Sequence, residues 1–245
     1  TAETGDITQS GALAITGTTA LTTSANNGTI DLEESGIVNS FTGALTITTN
    51  DDSGADADVT IDGGTTAVNI AASTIDGDLT VTSGNASGIT DSGAVTVAGN
   101  LVATTDANSG VIDLGTTSVT GTVAFTTNGT GNATFDNGSL NIDLAASSVG
   151  GDLTLTSGAA AGITDSGAVS VGRTLSATTD DNDGEIDLGD LDVGFQIALN
   201  TNGNGDATIV NDTGFEFAAS TVGGALNATA ETGDITQSGA LAITG

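Results

Sequence analysis

Apolar positions along this chain keep step with one phrase, Gly77-Asp-Leu-Thr-Val-Thr-Ser-Gly84, that returns nine times. Its anchors are Leu21, Leu45, Leu79, Leu101, Val123, Leu153, Leu175, Ile197 and Leu226. Two positions on stand Thr23, Ile47, Val81, Ala103, Phe125, Leu155, Ala177, Leu199 and Ala228, so both places are apolar in every copy but the first. Period-2 alternation of this kind predicts a strand with one buried face. At anchor+3 the series is Ser24, Thr48, Thr82, Thr104, Thr126, Thr156, Thr178, Asn200 and Thr229, small hydrogen-bonding side chains expected on the outer face. At anchor+5 only Asn, Asp, Gly and one Glu occur, residues suited to turning the chain.

The intervals between anchors are of two kinds: short ones, as from Leu79 to Leu101 and from Leu101 to Val123, and long ones, as from Leu45 to Leu79 and from Val123 to Leu153. A strand-only repeat of roughly 20–34 residues cannot bury its apolar face alone and must stack on copies of itself. No 3.6-residue apolar stripe persists along the chain, and Gly and Asn recur every few positions, so helical repeats are excluded. Further strands are predicted at 30–32, 112–114 and 186–188, at 59–61, 133–135 and 207–209, and at 95–97, 169–171 and 241–243. In the longest coils the third strand falls at 68–70, 140–142 and 215–217. The fold expected is all-β: a parallel β-helix (β-solenoid), roughly triangular and right-handed, with three strands per coil and about nine coils per 228-residue period. The extra residues of the long coils, at 50–58, 128–132 and 202–206 and around 71–76, 145–150 and 218–223, are expected to bulge from one corner. Gly43, Gly77, Gly99, Gly121, Gly151 and Gly224, two before the anchor, fit a corner with no room for Cβ. Arg173 and Phe195 break that column.

Residues 1–17 reappear unchanged as residues 229–245. One continuous segment, 1–245, is therefore read as one long period plus the start of the next, in a parent chain built as a tandem array. A shorter period is marked by Ile7-Thr8-Gln9-Ser10-Gly11 and its relatives starting at Ile89, Ile163 and Ile235. The sub-repeats run over about 7–88, 89–162 and 163–234. With nine coils between the identical copies and strands stacked at about 4.8 Å, those copies should lie roughly 43 Å apart with the same orientation.

Composition sharpens this. Cys, Met, Pro, His, Trp, Tyr and Lys are absent, and a single base, Arg173, faces 31 acidic residues, for a net charge of −30. Such a surface excludes nucleic acid and anionic membranes as partners, because both require clustered Lys and Arg. No apolar run approaches the roughly 18 residues needed for membrane insertion as a helix. Without Cys there is neither a disulfide framework nor thiol chemistry. No signal peptide or initiator Met is visible, so the chain reads as part of a longer one.

The phrases at 77–105 and 151–179, GDLTVTSGNASGITDSGAVTVAGNLVATT and GDLTLTSGAAAGITDSGAVSVGRTLSATT, resemble the central repeats of filamentous-haemagglutinin-like exoproteins, large bacterial adhesins of the two-partner secretion type. The resemblance covers nearly the whole chain. It implies a right-handed β-helical shaft, export to the cell surface, and a role in adhesion or fibre formation. The family's amino-terminal secretion domain has no counterpart in these residues.

Catalysis by paired carboxylates would draw on Asp180, Asp181 and Asp183, but a sugar-cleaving site also needs cations, His or aromatic platforms around its substrate. The chain is not expected to be an enzyme, and no cofactor is required. Calcium is the sharper candidate, since Thr179-Asp180-Asp181-Asn182-Asp183-Gly184-Glu185-Ile186-Asp187 crowds hard oxygen ligands around a Gly bend. Asp180, Asp181 and Asp183 are the metal ligands this reading names, and a second acidic cluster spans Asn50 to Asp58. The alternative, favoured for any single cluster, is a solvated acidic loop that keeps a fibre soluble. Asp31, Asp113 and Asp187 are expected three coils apart, about 14 Å from one another, too far to share an ion. Thr46/Thr48, Thr80/Thr82 and Thr154/Thr156 have the spacing of an ice-binding array, interrupted by Val102, Ala124, Ala198 and Asn227. A hydrogen-bonding Thr ladder is the favoured role.

The function expected is the shaft of a secreted bacterial surface fibre or adhesin, extracellular, whose partners are head-to-tail copies of the same repeat. Any host or neighbouring-cell ligand would be met by other regions. The alternatives are a self-assembling matrix or surface filament and, further off, a calcium-stabilised carbohydrate- or ice-binding β-helix.

Overall fold

A computed structural model describes residues 1–50 and 56–245. Among the described residues every regular element is a β-strand, and all the strand pairs are parallel. The chain winds alternately through two large sheets, of 13 and 16 strands, for about ten turns of a β-solenoid. Leu79, Val81, Leu153 and Leu155 are at most 1% exposed, while Thr80, Thr82, Thr154 and Thr156 between them face outward and are half-buried. The alternation predicted from the sequence is therefore the alternation that builds the core.

A regular turn has the three strands expected of it, spread over two sheets. Leu79–Ser83 is a single long strand in the 13-stranded sheet. Ile89–Asp91 and Val95–Val97 form a kinked pair in the 16-stranded sheet, and Leu101–Asn108 returns to the first. Leu79, Leu101 and Val123 stack directly, so each short anchor interval is one turn.

The long anchor intervals are not bulged coils. Val123 is covered by Leu144, whereas Leu153 stacks on Ala133 in the opposite sheet. The interval from Val123 to Leu153 is a turn and a half. It contains a second single strand, Ala133–Asp136, directly after the single strand Val123–Asn128. The same doubling occurs at Gln196–Asn202 and Ala207–Asn211, and at Leu45–Thr48 and Val59–Asp62. The residues expected to bulge around 71–76, 145–150 and 218–223 instead form the strands Ser73–Ile75, Ser147–Val149 and Ser220–Val222, which turn Ile75, Val149 and Val222 into the core. Of the expected bulge at 50–58, residues 51–55 lie outside the described residues.

Counting from one doubling to the next gives the building unit. From Ala133 to Asn202 the chain runs single, pair, single, pair, single, pair, single, with all the singles in one sheet and all the pairs in the other. That is seven half-turns. Because seven is odd, the next unit, starting at Ala207, lays its singles on the opposite sheet. Units begin at Val59, Ala133 and Ala207, at equal intervals along the chain.

The two identical 17-residue copies are consequently on opposite faces. Ile7 lies in the 13-stranded sheet and Ile235 in the 16-stranded one. From Ile7 to Leu226 the ladder climbs ten steps, and Ile235 is half a turn further. Ten and a half turns separate the copies where nine were expected, and the shared orientation expected of them is replaced by a half-turn. Parallel pairing through every step leaves no place for the antiparallel sandwich domains that would otherwise produce a period of this length.

Candidate functional surface

Each change of face costs backbone pairing, because a straight single strand must stack on a kinked pair. Side chains repair the ladder there. Where a pair lies above a single, the hydroxyls of Ser73, Ser147 and Ser220 accept the backbone N–H of Ile47, Phe125 and Leu199 at 2.9, 3.1 and 3.1 Å, and donate to the carbonyls of Ala71, Ala145 and Ala218. Thr49, Thr127 and Thr201 accept the N–H of Asp76, Gly150 and Gly223 at the far end of the same strands. Where a single lies above a pair, a buried amide stands in for backbone. Asn137 accepts from the N–H of Val119 at 2.7 Å and donates to its carbonyl at 2.9 Å, and Asn211 treats Val193 the same way. The first junction has Gly63 at the corresponding place, and there Thr66 accepts the N–H of Phe41.

The corners carry a second device. Asp58, Asp78 and Asn100 each accept, through Oδ1, the N–H of the residue one turn on: Asp78, Asn100 and Thr122. Asn132, Asp152 and Asp206 do the same for Asp152, Thr174 and Ala225. This explains the Gly column. At Gly99 an added Cβ would collide with Asp78 Oδ1 and lie 2.7 Å from the Gly77 carbonyl carbon. Arg173 occupies such a place above Asp152 and turns outward, with Nε 3.8 Å from its carboxylate. Phe195 sits one turn above it, next to Thr174 rather than an Asx side chain, and its ring is exposed.

Many of the carboxylates of this acidic chain are thus committed to backbone N–H groups. Asp183 Oδ1 accepts from the backbone and side-chain nitrogens of Asn204 at 2.7 and 3.1 Å. Asp180 lies on the strand Thr174–Asn182 and borders a shallow groove with Asp136 and Gly158. Asp181 is on that strand, and its side chain lies outside the described residues. Among the described residues no three acidic side chains converge as a metal site would require. Of the second acidic cluster, Asp51 and Asp52 also lie outside the described residues. Asp31 and Asp187 share a sheet seven steps apart, about 34 Å, with Asp113 on the other sheet, so the row expected of them at about 14 Å spacing does not exist. Thr46/Thr48 and Thr154/Thr156 lie in one sheet and Thr80/Thr82 in the other, so the Thr pairs do not make one flat array.

One polar row on the outer face is perturbed. Gln196 donates to Glu216 at 2.6 Å and to Ser238 at 3.0 Å. Hydrogen bonds from Ser238 and then Gln196 hold the Glu216 carboxyl below the usual glutamate range. An apolar recess of about 420 Å³ lies at the first coil, lined by Ile7, Leu13, Ile15, Leu21, Leu32 and Phe41.

The profile of a family described as Repeats of unknown function (DUF5649) matches residues 1–48, 56–110, 130–204 and 204–245. The matches starting at 56, 130 and 204 each open one corner ahead of a unit defined by the structure, at Val59, Ala133 and Ala207. No curated protein and no solved structure matches the chain.

Proposed function

From the premise that this chain belongs to the DUF5649 repeat family, we propose that it is a structural shaft segment of a secreted bacterial surface fibre or adhesin. The observation that carries the reading is the unbroken core: about ten turns of parallel ladder, with side-chain repairs at each change of face and the same 17-residue coil at both ends. A device that preserves pairing through every junction serves length and continuity. The flanks support it too, since a net charge of −30 and outward rows of Thr, Asp and Asn give hydrated sides that resist lateral sticking. The function of such a shaft is reach. Its partners along the axis are copies of the same repeat, in line with the phrases at 77–105 and 151–179 that resemble two-partner-secreted adhesins, and recognition of another cell is left to other regions of the parent chain.

Electron microscopy of one, two and three tandem 228-residue periods tests this. Each added period should lengthen an unbranched rod by about 50 Å at constant width, from ten and a half turns at about 4.8 Å. Antibody against the chain should label intact, unpermeabilised cells of its source. Particles that grow in width, or label only after permeabilisation, would overturn the shaft or the surface location respectively.

A further inference from the structure

Asn–Gly steps occur at Asn27, Asn128, Asn137, Asn202 and Asn204. We propose that Asn202–Gly203 is a site of self-modification: the backbone nitrogen of Gly203 attacks the side-chain amide of Asn202, and water completes the conversion to aspartate and isoaspartate. Water is the co-reactant and no enzyme is needed, so the inference stands apart from the shaft reading.

In any Asn–Gly step the reacting groups are neighbours in sequence, and Gly has no Cβ to block their approach. The fold then selects which steps react by where it sends the amide and the following N–H. At Asn137 both are spent. Its Oδ1 accepts the N–H of Val119, its Nδ2 donates to the carbonyls of Val119 and Asn141, and Gly138 N–H turns to Asp136 at 2.8 Å. At Asn204 the Nδ2 goes to Asp183, and Gly205 N–H donates to the Asn202 carbonyl at 3.2 Å. After Asn27, Gly28 N–H donates to the Ala25 carbonyl at 3.1 Å. In each of these the nucleophile is aimed away from its own amide.

At Asn202 it is aimed inward. Gly203 N–H donates to Asn202 Oδ1 itself at 2.8 Å. A nitrogen so placed is also close to Cγ, near the separation of about 3–3.5 Å from which bonds form. Nδ2 donates to the Asp180 carbonyl at 3.1 Å, which fixes the way the amide faces. The Asn202 carbonyl accepts the N–H groups of Asp183 and Gly205 at 3.1 and 3.2 Å, which holds the turn in place. Asn202, Gly203 and Asn204 are exposed, so water reaches the site. The same turn one unit earlier, at the exposed Asn128–Gly129, repeats the tie, with Asn128 Nδ2 donating to the Asp106 carbonyl at 3.3 Å, and is the second site expected to convert.

The reaction balances with water alone. Gly203 N gives its proton to solvent and bonds to Cγ; the Cγ–Nδ2 bond breaks, and the nitrogen takes a proton from water and leaves as ammonia. Water opens the resulting cyclic imide at either carbonyl. Opening at Cγ restores the main chain with aspartate at 202, and opening at the backbone carbonyl routes the main chain through Cγ as isoaspartate. Among the described residues the Gly203 N–H has no other acceptor, so its loss breaks no further bond of the fold. The product carries one more negative charge, beside Asp180 and Asp183, at the turn between the strands Gln196–Asn202 and Ala207–Asn211.

The full-length chain, held folded at neutral pH and in parallel in denaturant, tests this by peptide mapping with fragmentation that separates aspartate from isoaspartate. Cleavage before Asp yields peptides 113–135, 136–142 and 192–205, which carry Asn128, Asn137 and the Asn202, Asn204 pair. In the folded chain Asn202 should convert about tenfold faster than Asn137 and Asn204, or more. Its rate should rise roughly tenfold per unit of pH, as the population of the amide anion does. In denaturant the Asn–Gly steps should convert at similar rates. Asn202→Gln, which keeps an exposed amide but must close a larger ring, should stop the reaction at that turn. A smaller margin over Asn137 and Asn204, or an Asn202 that stays an amide while the denatured chain converts, would overturn the assignment.

Discussion

Replacing Asn137 by Ala removes the side chain that carries one change of face while leaving the apolar core untouched. Asn137 is 0% exposed, and its amide serves three backbone groups: Val119 N–H, Val119 C=O and Asn141 C=O, at 2.7, 2.9 and 2.6 Å. Each buried group left without a partner costs about 1–3 kcal/mol. Partial relaxation, and water entering a cavity the size of the lost amide, return some of that, so a net loss of about 3 kcal/mol is expected. A solenoid opens locally rather than all at once, so a single melting midpoint would blur the effect. Hydrogen exchange resolved by residue is the appropriate assay. A loss of about 3 kcal/mol corresponds to roughly hundredfold faster exchange, concentrated at Thr117–Val119 and in the strands of the turn above, Ile142–Leu144 and Ser147–Val149. The exposed Asn128 provides the control, and its Ala variant should change exchange less than threefold. Val119 protection in the Asn137→Ala protein equal to that of the parent would refute the claim that this amide bridges the junction.

Three further outcomes are expected. Gly99→Ala should destabilise its turn by about 1–3 kcal/mol, because the new Cβ meets Asp78 Oδ1 and the Gly77 backbone; Gly115→Ala, where a Cβ meets open space, should be near neutral in the same denaturant titration. The Glu216 carboxyl should titrate below an ordinary glutamate by NMR, and Ser238→Ala should move it back up. Since the folded value is the lower one, its small contribution to stability is present above the unfolded pKa and lost as pH falls through the folded one. Calcium should act on the acidic loops as screening: melts with chelator and with calcium at matched ionic strength should coincide, and a midpoint lowered by chelator alone would restore a specific site.

The reading from sequence succeeded where the physics is local. Leu79, Val81, Leu153 and Leu155 announce a strand with a buried face by period alone, and the lengths between anchors announce stacking. The half-turn was hidden because a single strand looks the same on either sheet: Val123 and Leu153 share a phrase, and only the ladder shows that they lie on opposite sides. The long interval between them then looked like loops added to a turn when it held an additional strand. The repair residues were in view without their meaning. Ala-Ala-Ser recurs at 71–73, 145–147 and 218–220, and Asp136-Asn137-Gly138 has the composition of a turn. A buried Asn that substitutes for backbone differs from an exposed turn Asn only through what stacks above and below it. The corner carboxylates were hidden for the same reason, since the acceptor and the N–H it serves are far apart in sequence and one turn apart in space.

Seven half-turns make one unit, so successive units, and the identical copies three units apart, alternate faces. A tandem array of 228-residue periods with one outward residue per period changed to Cys, Thr8 or its equivalents, and tagged with a heavy-metal cluster, tests it most directly by electron microscopy. Alternation of faces places the labels on alternating sides of the rod, about 50 Å apart along the axis, with same-side labels about 100 Å apart. Labels all on one side at about 43 Å would contradict it.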